Sequence, residues 1–241
     1  MPESTSKDIT SPPKLSVIMP VYNECTNLMH ILEGIRAVDV EKEIIMVDDA
    51  STDGTTNLFK NHIEGKFPNV KVFYHTKNQG KGAAIRTAIP HAIGTYAIIQ
   101  DGDLEYNPKD YLKILKAFEE HNATVVYGSR FTQGFPKMKL PNKIVNILLA
   151  WMVRFFFRTP MTDEATCYKA FRTDVLQSIP LKCKRFEFCP EITAKVIRKG
   201  HNIIEVPISY TARTLQEGKK IRWTDGGAAI WTLIKFRFAK F

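Results

Sequence analysis

The most informative stretch of this chain is Ile98-Ile99-Gln100-Asp101-Gly102-Asp103-Leu104-Glu105, in which an apolar segment ends in three closely spaced acids. The apolar residues predict a buried strand, and residues two apart along an extended chain point the same way. We therefore expect the carboxyl groups of Asp101, Asp103 and Glu105 to converge just beyond this strand. Three carboxylates cannot share a site as free anions at neutral pH, so either a divalent cation binds among them or one of them is protonated. The alternative is an acidic loop that caps the helix starting near Asn107-Pro108.

On both sides of this stretch, short apolar runs alternate with amphipathic segments. Strands are predicted over 15–21, 43–48, 70–75, 96–101 and 124–128, and helices over 27–37, 55–62, 81–92 and 108–121. This alternation predicts an α/β fold with a mostly parallel central sheet, right-handed crossovers and helices on both faces. Ligands bind such sheets at the carboxyl ends of the strands.

Two more polar motifs follow predicted strands. They are Pro20-Val21-Tyr22-Asn23-Glu24 and Val47-Asp48-Asp49-Ala50-Ser51-Thr52-Asp53-Gly54-Thr55. We expect them to meet the acidic stretch at one edge of the sheet, although a simple turn and helix caps would also explain them. No glycine-rich phosphate loop follows the first strand, so a nucleotide would be held by side chains at its base and ribose and by a metal at its diphosphate.

The charge balance favours partners that carry phosphate. The chain has 241 residues, a length that suits one large domain, and 34 Lys+Arg against 25 Asp+Glu give a net charge of +9. A nucleotide, a nucleic acid or an anionic membrane would suit that excess. No base-reading motif supports nucleic acid.

The four cysteines form no CxxC pair and no secretory signal is visible, which favours a reduced cytosolic location. The six scattered histidines are interpreted as surface or edge residues.

The chain divides into three predicted parts. Residues 1–13 are polar and predict a flexible tail, residues 14–222 are predicted to form one α/β domain, and residues 223–241 a C-terminal amphipathic helix. Within the domain, residues 143–158 are apolar over a length too short to span a membrane but suited to an interfacial helix. We expect these two helices to lie on a membrane surface, with core packing as the alternative.

In order and spacing, the strand-end motifs resemble the nucleotide-diphospho-sugar domain of family 2 glycosyltransferases, in particular the dolichol-phosphate (polyprenyl-phosphate) mannosyltransferase branch. Tyr127-Gly128-Ser129-Arg130-Phe131 and Thr162-Asp163-Glu164-Ala165-Thr166 continue the match, which covers about residues 15–225. The resemblance implies a GT-A fold and a metal-dependent, inverting transferase that uses Mg²⁺ or Mn²⁺. The reaction it implies moves a hexose, such as the mannose of GDP-mannose, from a nucleotide-diphospho-sugar to a polyprenyl or dolichyl phosphate at the cytosolic face of a membrane.

The resemblance also assigns roles to residues around the donor. Pro20, Tyr22 and Glu24 would line the nucleotide pocket, with Asp49 reading the base and Asp48 supporting it. Asp103 and Glu105 would hold the cation, while Asp101 and Gly102 would lie against the sugar or the water shell of the metal. Arg130 matches an arginine of the phosphate-binding set, and Arg213, Lys219 and Lys220 resemble a basic loop that closes over the diphosphate. Lys143 matches a residue that meets the acceptor phosphate, and Lys81 either reaches the donor or simply starts a helix.

Three functions remain open from the sequence. A phosphate acceptor needs no general base, since its second pKa is near 6 and it is largely a dianion at pH 7. A sugar or other hydroxyl acceptor needs a base, and Asp163 is the candidate. The third possibility is a nucleotide-binding protein without catalytic activity.

Overall fold

The structure is a computed structural model that describes residues 12–134, 136, 138–213 and 225–240. Most of the predicted tail, together with Lys219 and Lys220, therefore lies outside the described residues. A single mixed sheet of seven strands forms the centre of the structure. The seven strands are β1 (Leu15–Val21), β2 (Lys42–Asp48), β3 (Val70–Tyr74), β4 (Tyr96–Ile99), β5 (Val125–Ser129), β6 (Lys169–Arg172) and β7 (Ile203–Pro207).

Eight α-helices surround this sheet in the described part of the chain. They are α1 (Leu28–Arg36), α2 (Thr55–Leu58), α3 (Lys81–Ala88), α4 (Tyr111–His121), α5 (Leu140–Phe157), α6 (Thr173–Ser178), α7 (Phe188–Arg198) and α8 (Asp225–Phe238). Short segments with other helical geometry extend three of them: a π-turn follows α2 over Phe59–Ile63, and 3₁₀ turns follow α3 over Ile89–His91 and precede α4 over Pro108–Asp110.

The first four strands pair in parallel and bring their carboxyl ends to one edge. Every residue of β1 is buried, as expected for a parallel strand covered on both faces. β1 pairs with β2 as far as the Val21–Asp48 position and with β4 as far as the Ile18–Ile99 position. The three predicted motifs therefore begin side by side at what we call the carboxyl edge of the sheet.

β6 is the exception to the parallel arrangement. The strand order is β3-β2-β1-β4-β6-β5-β7, and β6 runs antiparallel to both of its neighbours. The predicted α/β fold with a mostly parallel sheet is confirmed, but strands β6 and β7 were not among the predicted strands. Because β6 starts where β4 ends, the segment that precedes it, residues 162–168, lies at the carboxyl edge.

Helix α5 is longer than the predicted 143–158 segment. Among the described residues it is the one helix long and apolar enough, by length and composition, to cross a membrane, which corrects the expectation that this segment is too short. Its residues Leu149 and Val153 are buried against the core. Its outer side carries six exposed apolar residues at helical spacing, which we call the apolar stripe: Leu140, Ile144, Ile147, Leu148, Trp151 and Phe155.

A close approach of two backbones fixes the start of α3. A Cβ atom on Gly82 would lie 2.8 Å from the carbonyl oxygen of Cys183 and 2.9 Å from that of Arg185. Gly80, just before the helix, is equally crowded by the carbonyl oxygen of Lys184 and has a φ of +95°. The segment around residues 183–185 can therefore pack directly on α3 only because both positions lack side chains.

We predict that Gly82→Ala lowers the free energy of unfolding by about 1–3 kcal/mol, because the new methyl group must displace the 183–185 backbone. Gly227→Ala is the matched control, since Gly227 also lies in the first turn of a helix and no atom lies within 4 Å of its Cβ position. Helix propensity alone should make that control neutral or more stable by up to about 1 kcal/mol. Urea denaturation of both variants measures the difference, and equal effects would contradict the steric explanation.

Candidate active site

The three strand-end motifs enclose a cavity of about 260 Å³ at the carboxyl edge. The described residues that line it include most of the predicted donor site: Pro20, Tyr22, Glu24, Asp49, Lys81, Asp101, Gly102, Asp103, Glu105 and Arg213. The sequence did not predict that Arg185 and Phe186 also line it. They lie in and directly after the 183–185 segment packed on α3, and the run Arg185-Phe186-Glu187, which also continues the family resemblance, is the sequence feature that could have indicated them.

The two aspartates at the end of β2 shape the loops around the cavity. Asp48 Oδ1 accepts hydrogen bonds from the backbone N–H and hydroxyl of Ser51, at 3.0 and 2.6 Å, and lies behind the cavity wall. Asp49 accepts from the backbone N–H groups of Gln79 and Gly80 at 2.8 and 2.7 Å. The structure thus brings Asp49 to the cavity with both oxygens already engaged in fixing the turn before α3.

His75 corrects the interpretation of the histidines as surface or edge residues. Its side chain is largely buried, with Nδ1 2.6 Å from Asp49 Oδ1 and Nε2 2.9 Å from Thr87 Oγ1. The sequence offers one signal for this position, namely that His75 directly follows β3 at the carboxyl edge.

The three acids after β4 do not converge on one point in this structure, because each makes different contacts. Asp101 lies 2.5 Å from Lys81 Nζ, and Asp103 lies 2.8 Å from a guanidinium nitrogen of Arg213. Glu105 accepts from the backbone N–H of Arg213 at 2.8 Å and from the hydroxyl of Tyr210 at 3.0 Å. The described residues accordingly contain no group of three or more His, Cys, Asp or Glu side chains arranged to hold a metal ion.

The electrostatics of the acids differ. Burial alone would raise the pKa of Asp101, but the ammonium group of Lys81 lowers it below its ordinary value. Burial and then the charge of Asp101 raise the pKa of Asp103 to about 7, despite the opposing effect of Arg213. Asp101, Asp103 and Glu105 line the same cavity, and carboxylate oxygens are the hard ligands that Mg²⁺ and Mn²⁺ prefer. On this test, the acids fit a divalent cation.

Arg213 joins two sides of the cavity. Its guanidinium donates to Glu24 at 3.1 and 3.2 Å and to Asp103 at 2.8 Å. A positive charge thus already lies among the acids of the first and third motifs. Arg213 is the last described residue before the gap at residues 214–224.

Arg130 and Asp163 form a buried pair instead of two separate functional groups. Arg130 donates to both carboxylate oxygens of Asp163 at 2.7 Å, and its backbone N–H donates a third hydrogen bond at 3.0 Å. The guanidinium lies over the rings of Tyr210 and Tyr106, with its central carbon 5.0 and 6.0 Å from their centroids. Asp163 is completely buried. This geometry argues against Asp163 as a general base, because the carboxylate is fully buried against Arg130 and lines neither cavity.

A second cavity, of about 120 Å³, adjoins the first and shares Lys81, Asp101, Glu105 and Phe186 with it. Arg130 lines this second cavity together with residues from α5, α7 and α8. Its polar wall includes Glu164, which sequence reasoning singled out only as the neighbour of Asp163. Lys143 does not line either cavity; it lies half-buried in the first turn of α5, next to Asn142, which does line the second cavity.

Comparisons with known sequences agree with this geometry. The model of the family described as Glycosyl transferase family 2 matches residues 16–179, more than half of the chain. The chain is 29% identical over 225 residues to the undecaprenyl-phosphate mannosyltransferase of Micrococcus luteus, covering 90% of this chain and 91% of the relative. It is 28% identical to the polyprenol monophosphomannose synthase of Mycolicibacterium smegmatis, covering 89% and 85%. It is 27% identical to the dolichol-phosphate mannosyltransferase of Pyrococcus furiosus, covering 86% of this chain but only 59% of that longer relative.

Solved structures share the fold at lower identity. Glucosyl-3-phosphoglycerate synthase from Mycobacterium tuberculosis, in complex with Mn²⁺, UDP and glucosyl-3-phosphoglycerate, superposes with a TM-score of 0.69 at 14% identity, covering 95% of this chain and 81% of that one. A mannosyltransferase from Pyrobaculum calidifontis, in complex with GDP-Man and Mn²⁺, gives a TM-score of 0.56 at 23% identity, covering 86% and 58%.

We predict that Asp163→Asn lowers the free energy of unfolding by about 3–5 kcal/mol, because it leaves the charge of Arg130 buried without a carboxylate. Glu119→Gln is the control, since Glu119 pairs with Lys14 at the surface and exposed pairs contribute about 1 kcal/mol or less. Thermal and chemical denaturation measure both variants. An Asp163→Asn protein as stable as the wild type would show that Arg130 does not depend on this partner.

Proposed function

Because the chain belongs to glycosyl transferase family 2 and has the GT-A fold, we propose that it moves a hexose from a nucleotide-diphospho-sugar to a polyprenyl or dolichyl phosphate. The observation that carries this proposal is the pair of adjoining cavities. The first is rich in charged residues and suits a nucleoside diphosphate, whereas the second leads under α5, whose outer side carries the apolar stripe. Sequence relatives named for transfer to undecaprenyl, polyprenol and dolichol phosphates support the acceptor.

The donor occupies the first cavity in this proposal. Pro20, Tyr22 and Glu24 contact the nucleoside, and Asp49 contacts the base from the turn that it fixes. The hexose is mannose or glucose, and mannose is favoured by the names of the sequence relatives. GDP is the corresponding candidate nucleotide.

A divalent cation completes the donor site. Asp103 and Glu105 would hold Mg²⁺ or Mn²⁺, with Asp101 beside them and paired to Lys81. When bound, such a cation supplies positive charge against the diphosphate and so favours departure of the nucleotide. Structural neighbours in complex with Mn²⁺ support this assignment.

Arg213 stabilises the leaving nucleotide in the proposed reaction. Negative charge grows on the diphosphate as the bond to the sugar breaks, so a guanidinium fixed at this edge lowers the barrier more than it strengthens binding. Its contacts with Glu24 and Asp103 hold it there before the donor binds. Lys219 and Lys220 would add to this charge from the segment outside the described residues.

A phosphate acceptor suits the side chains near the second cavity. Arg130, held by Asp163, would orient the acceptor phosphate, and Lys143 at the start of α5 would add positive charge nearby. A phosphate dianion attacks without a base. The locked geometry of Asp163 therefore favours this acceptor over a hydroxyl, which remains the alternative.

We also infer that α5 lies on the cytosolic face of a membrane. The apolar stripe covers one side of the helix, and exposed basic residues stand at its ends and beside it: Lys139, Arg154 and Arg158. Trp231 and Phe238 extend exposed apolar surface onto α8. Apolar contact with acyl chains and attraction to anionic headgroups would add together and bring the lipid phosphate to the second cavity.

We predict that the purified protein transfers hexose from GDP-mannose to a short polyprenyl phosphate, and that EDTA removes this activity while Mn²⁺ restores it. Asp103→Ala should lower turnover by at least ~10²-fold, because a ligand of the cation is lost. Glu120→Ala, an exposed acid on α4, should leave turnover unchanged. Parallel assays with UDP-glucose and with hydroxyl acceptors test the donor and the alternative acceptor. Full activity in excess EDTA would overturn the cation assignment, and transfer to hydroxyl acceptors alone would overturn the lipid acceptor.

We predict that Trp151→Glu and Leu148→Glu weaken flotation with anionic liposomes and slow transfer to long polyprenyl phosphates, because they place charge in the apolar stripe. Leu112→Glu on α4 is the matched control, since Leu112 is 49% exposed and Trp151 is 54% exposed. Hydrolysis of the donor by water should be unaffected in all three variants. Raised salt should release the wild type only in part, since screening weakens the basic residues but not the apolar contact. Equal flotation of all variants would show that the stripe does not face lipid.

A further inference from the structure

One carboxylate oxygen in the second cavity has no use in the reaction described so far. Glu164 is completely buried in the segment that leads into β6. Its Oε1 accepts a hydrogen bond from Thr193 Oγ1 at 3.1 Å and lies 3.7 Å from Lys169 Nζ. Its Oε2 is buried and has no hydrogen-bond partner among the described residues.

The neighbouring lysine is held away from that oxygen. Lys169 Nζ donates to the carbonyl oxygen of Glu164 at 2.6 Å and to Thr193 at 3.2 Å, and it lies 3.9 Å from the centroid of the Tyr127 ring. Buried polar oxygens are almost always satisfied in native proteins, so an unpartnered oxygen on a residue that lines a cavity indicates a ligand. A hydroxyl group suits it in either protonation state, because a hydroxyl can both donate and accept.

The position of the cavity identifies which substrate would bring that hydroxyl. Glu164 lines the second cavity, and Lys81, Asp101 and Glu105 line both cavities. Because Asp101 lines both cavities, a hexose joined to a diphosphate in the first cavity would extend past Asp101 toward the second. A polyprenyl chain carries no hydroxyl group, so on this route the hexose is the source.

We propose that Glu164 is a specificity-determining residue whose free carboxylate oxygen binds one hydroxyl of the transferred hexose. This inference rests on the proposed function, since it requires that a nucleotide-hexose is the donor. It assigns to Glu164 the recognition of the sugar, separate from the acids that would hold the cation.

The test combines substrate and enzyme changes. Donors that lack a single hydroxyl of the hexose are compared with the parent donor by kcat/KM for transfer to a polyprenyl phosphate. For the wild type, removal of the recognised hydroxyl should lower kcat/KM by about 10–100-fold, since a hydrogen bond to a buried charged group is lost. For Glu164→Ala, kcat/KM with the parent donor should fall by a similar factor. Removal of that hydroxyl should then lower kcat/KM little further, because the two changes remove the same contact.

Thr166→Val is the matched control. Thr166 is also buried, its Oγ1 has no hydrogen-bond partner among the described residues, and it does not line the cavity. This variant should keep the full sensitivity to the missing hydroxyl. If Glu164→Ala fails to fold, Glu164→Met and the double variant Glu164→Met/Lys169→Met, which removes both buried charges, carry the same comparison, since methionine fills the space without a strong hydrogen-bonding group.

The outcomes separate this inference from the proposed function. Unchanged sensitivity to every missing hydroxyl in folded Glu164 variants would overturn the role in sugar recognition while transfer itself continues. Glu164→Gln could instead lose transfer to hydroxyl acceptors only, while removal of a donor hydroxyl lowers kcat/KM as much as in the wild type. That result would overturn the role in sugar recognition in favour of a general base. If the wild type transfers no hexose to polyprenyl phosphate, the proposed function fails, and calorimetric titration with the same donors still decides whether Glu164 binds a sugar hydroxyl.

Discussion

Buried negative charge at the carboxyl edge is the constraint on which the rest of the site depends. Parallel strands deliver Asp101 and Asp103 to a place largely removed from water, and the chain must meet each charge with a basic side chain from elsewhere. Lys81 comes from α3 and Arg213 from the segment after β7, while the neighbouring Asp163 receives Arg130 from the end of β5. Electrostatic pairing thus fixes how α3 and the segments after β5 and β7 meet the sheet.

Close backbone packing supports the same arrangement. Lys81 can reach Asp101 only if α3 starts at the right place, and two contacts fix that start. Asp49 holds the backbone N–H groups of Gln79 and Gly80, and the glycines around Lys81 admit the 183–185 segment. That segment in turn brings Phe186 to the wall shared by both cavities. The packing of the 183–185 segment on α3 and the cavity wall formed by Phe186 therefore depend on the same close backbone contact.

Much of the fold and part of the site could be predicted because their signals are local. Strand β1 was predicted with its observed bounds, since a continuous apolar run flanked by polar motifs leaves few alternatives. β6 escaped prediction because it is only four residues long and shows no alternation. The pairing of Asp103 with Arg213 spans 110 positions, and no local pattern specifies such a partner. For the same reason, the sequence made Asp163 a candidate base, whereas its contact with Arg130 leaves Glu164 as the acid with a free oxygen.

The antiparallel strand has a consequence for the order in which the sheet can form. β5 pairs only with β6 and β7 in the described sheet, and both of these follow it in the chain. During synthesis, β1 to β4 can assemble into a parallel unit, whereas the first neighbour of β5 begins only at Lys169, well after β5 ends at Ser129. Until then, β4 presents an unpaired edge, a known starting point for association between chains. The wall that carries Arg130 and Glu164 is therefore completed only after β1 to β4 can already be in place.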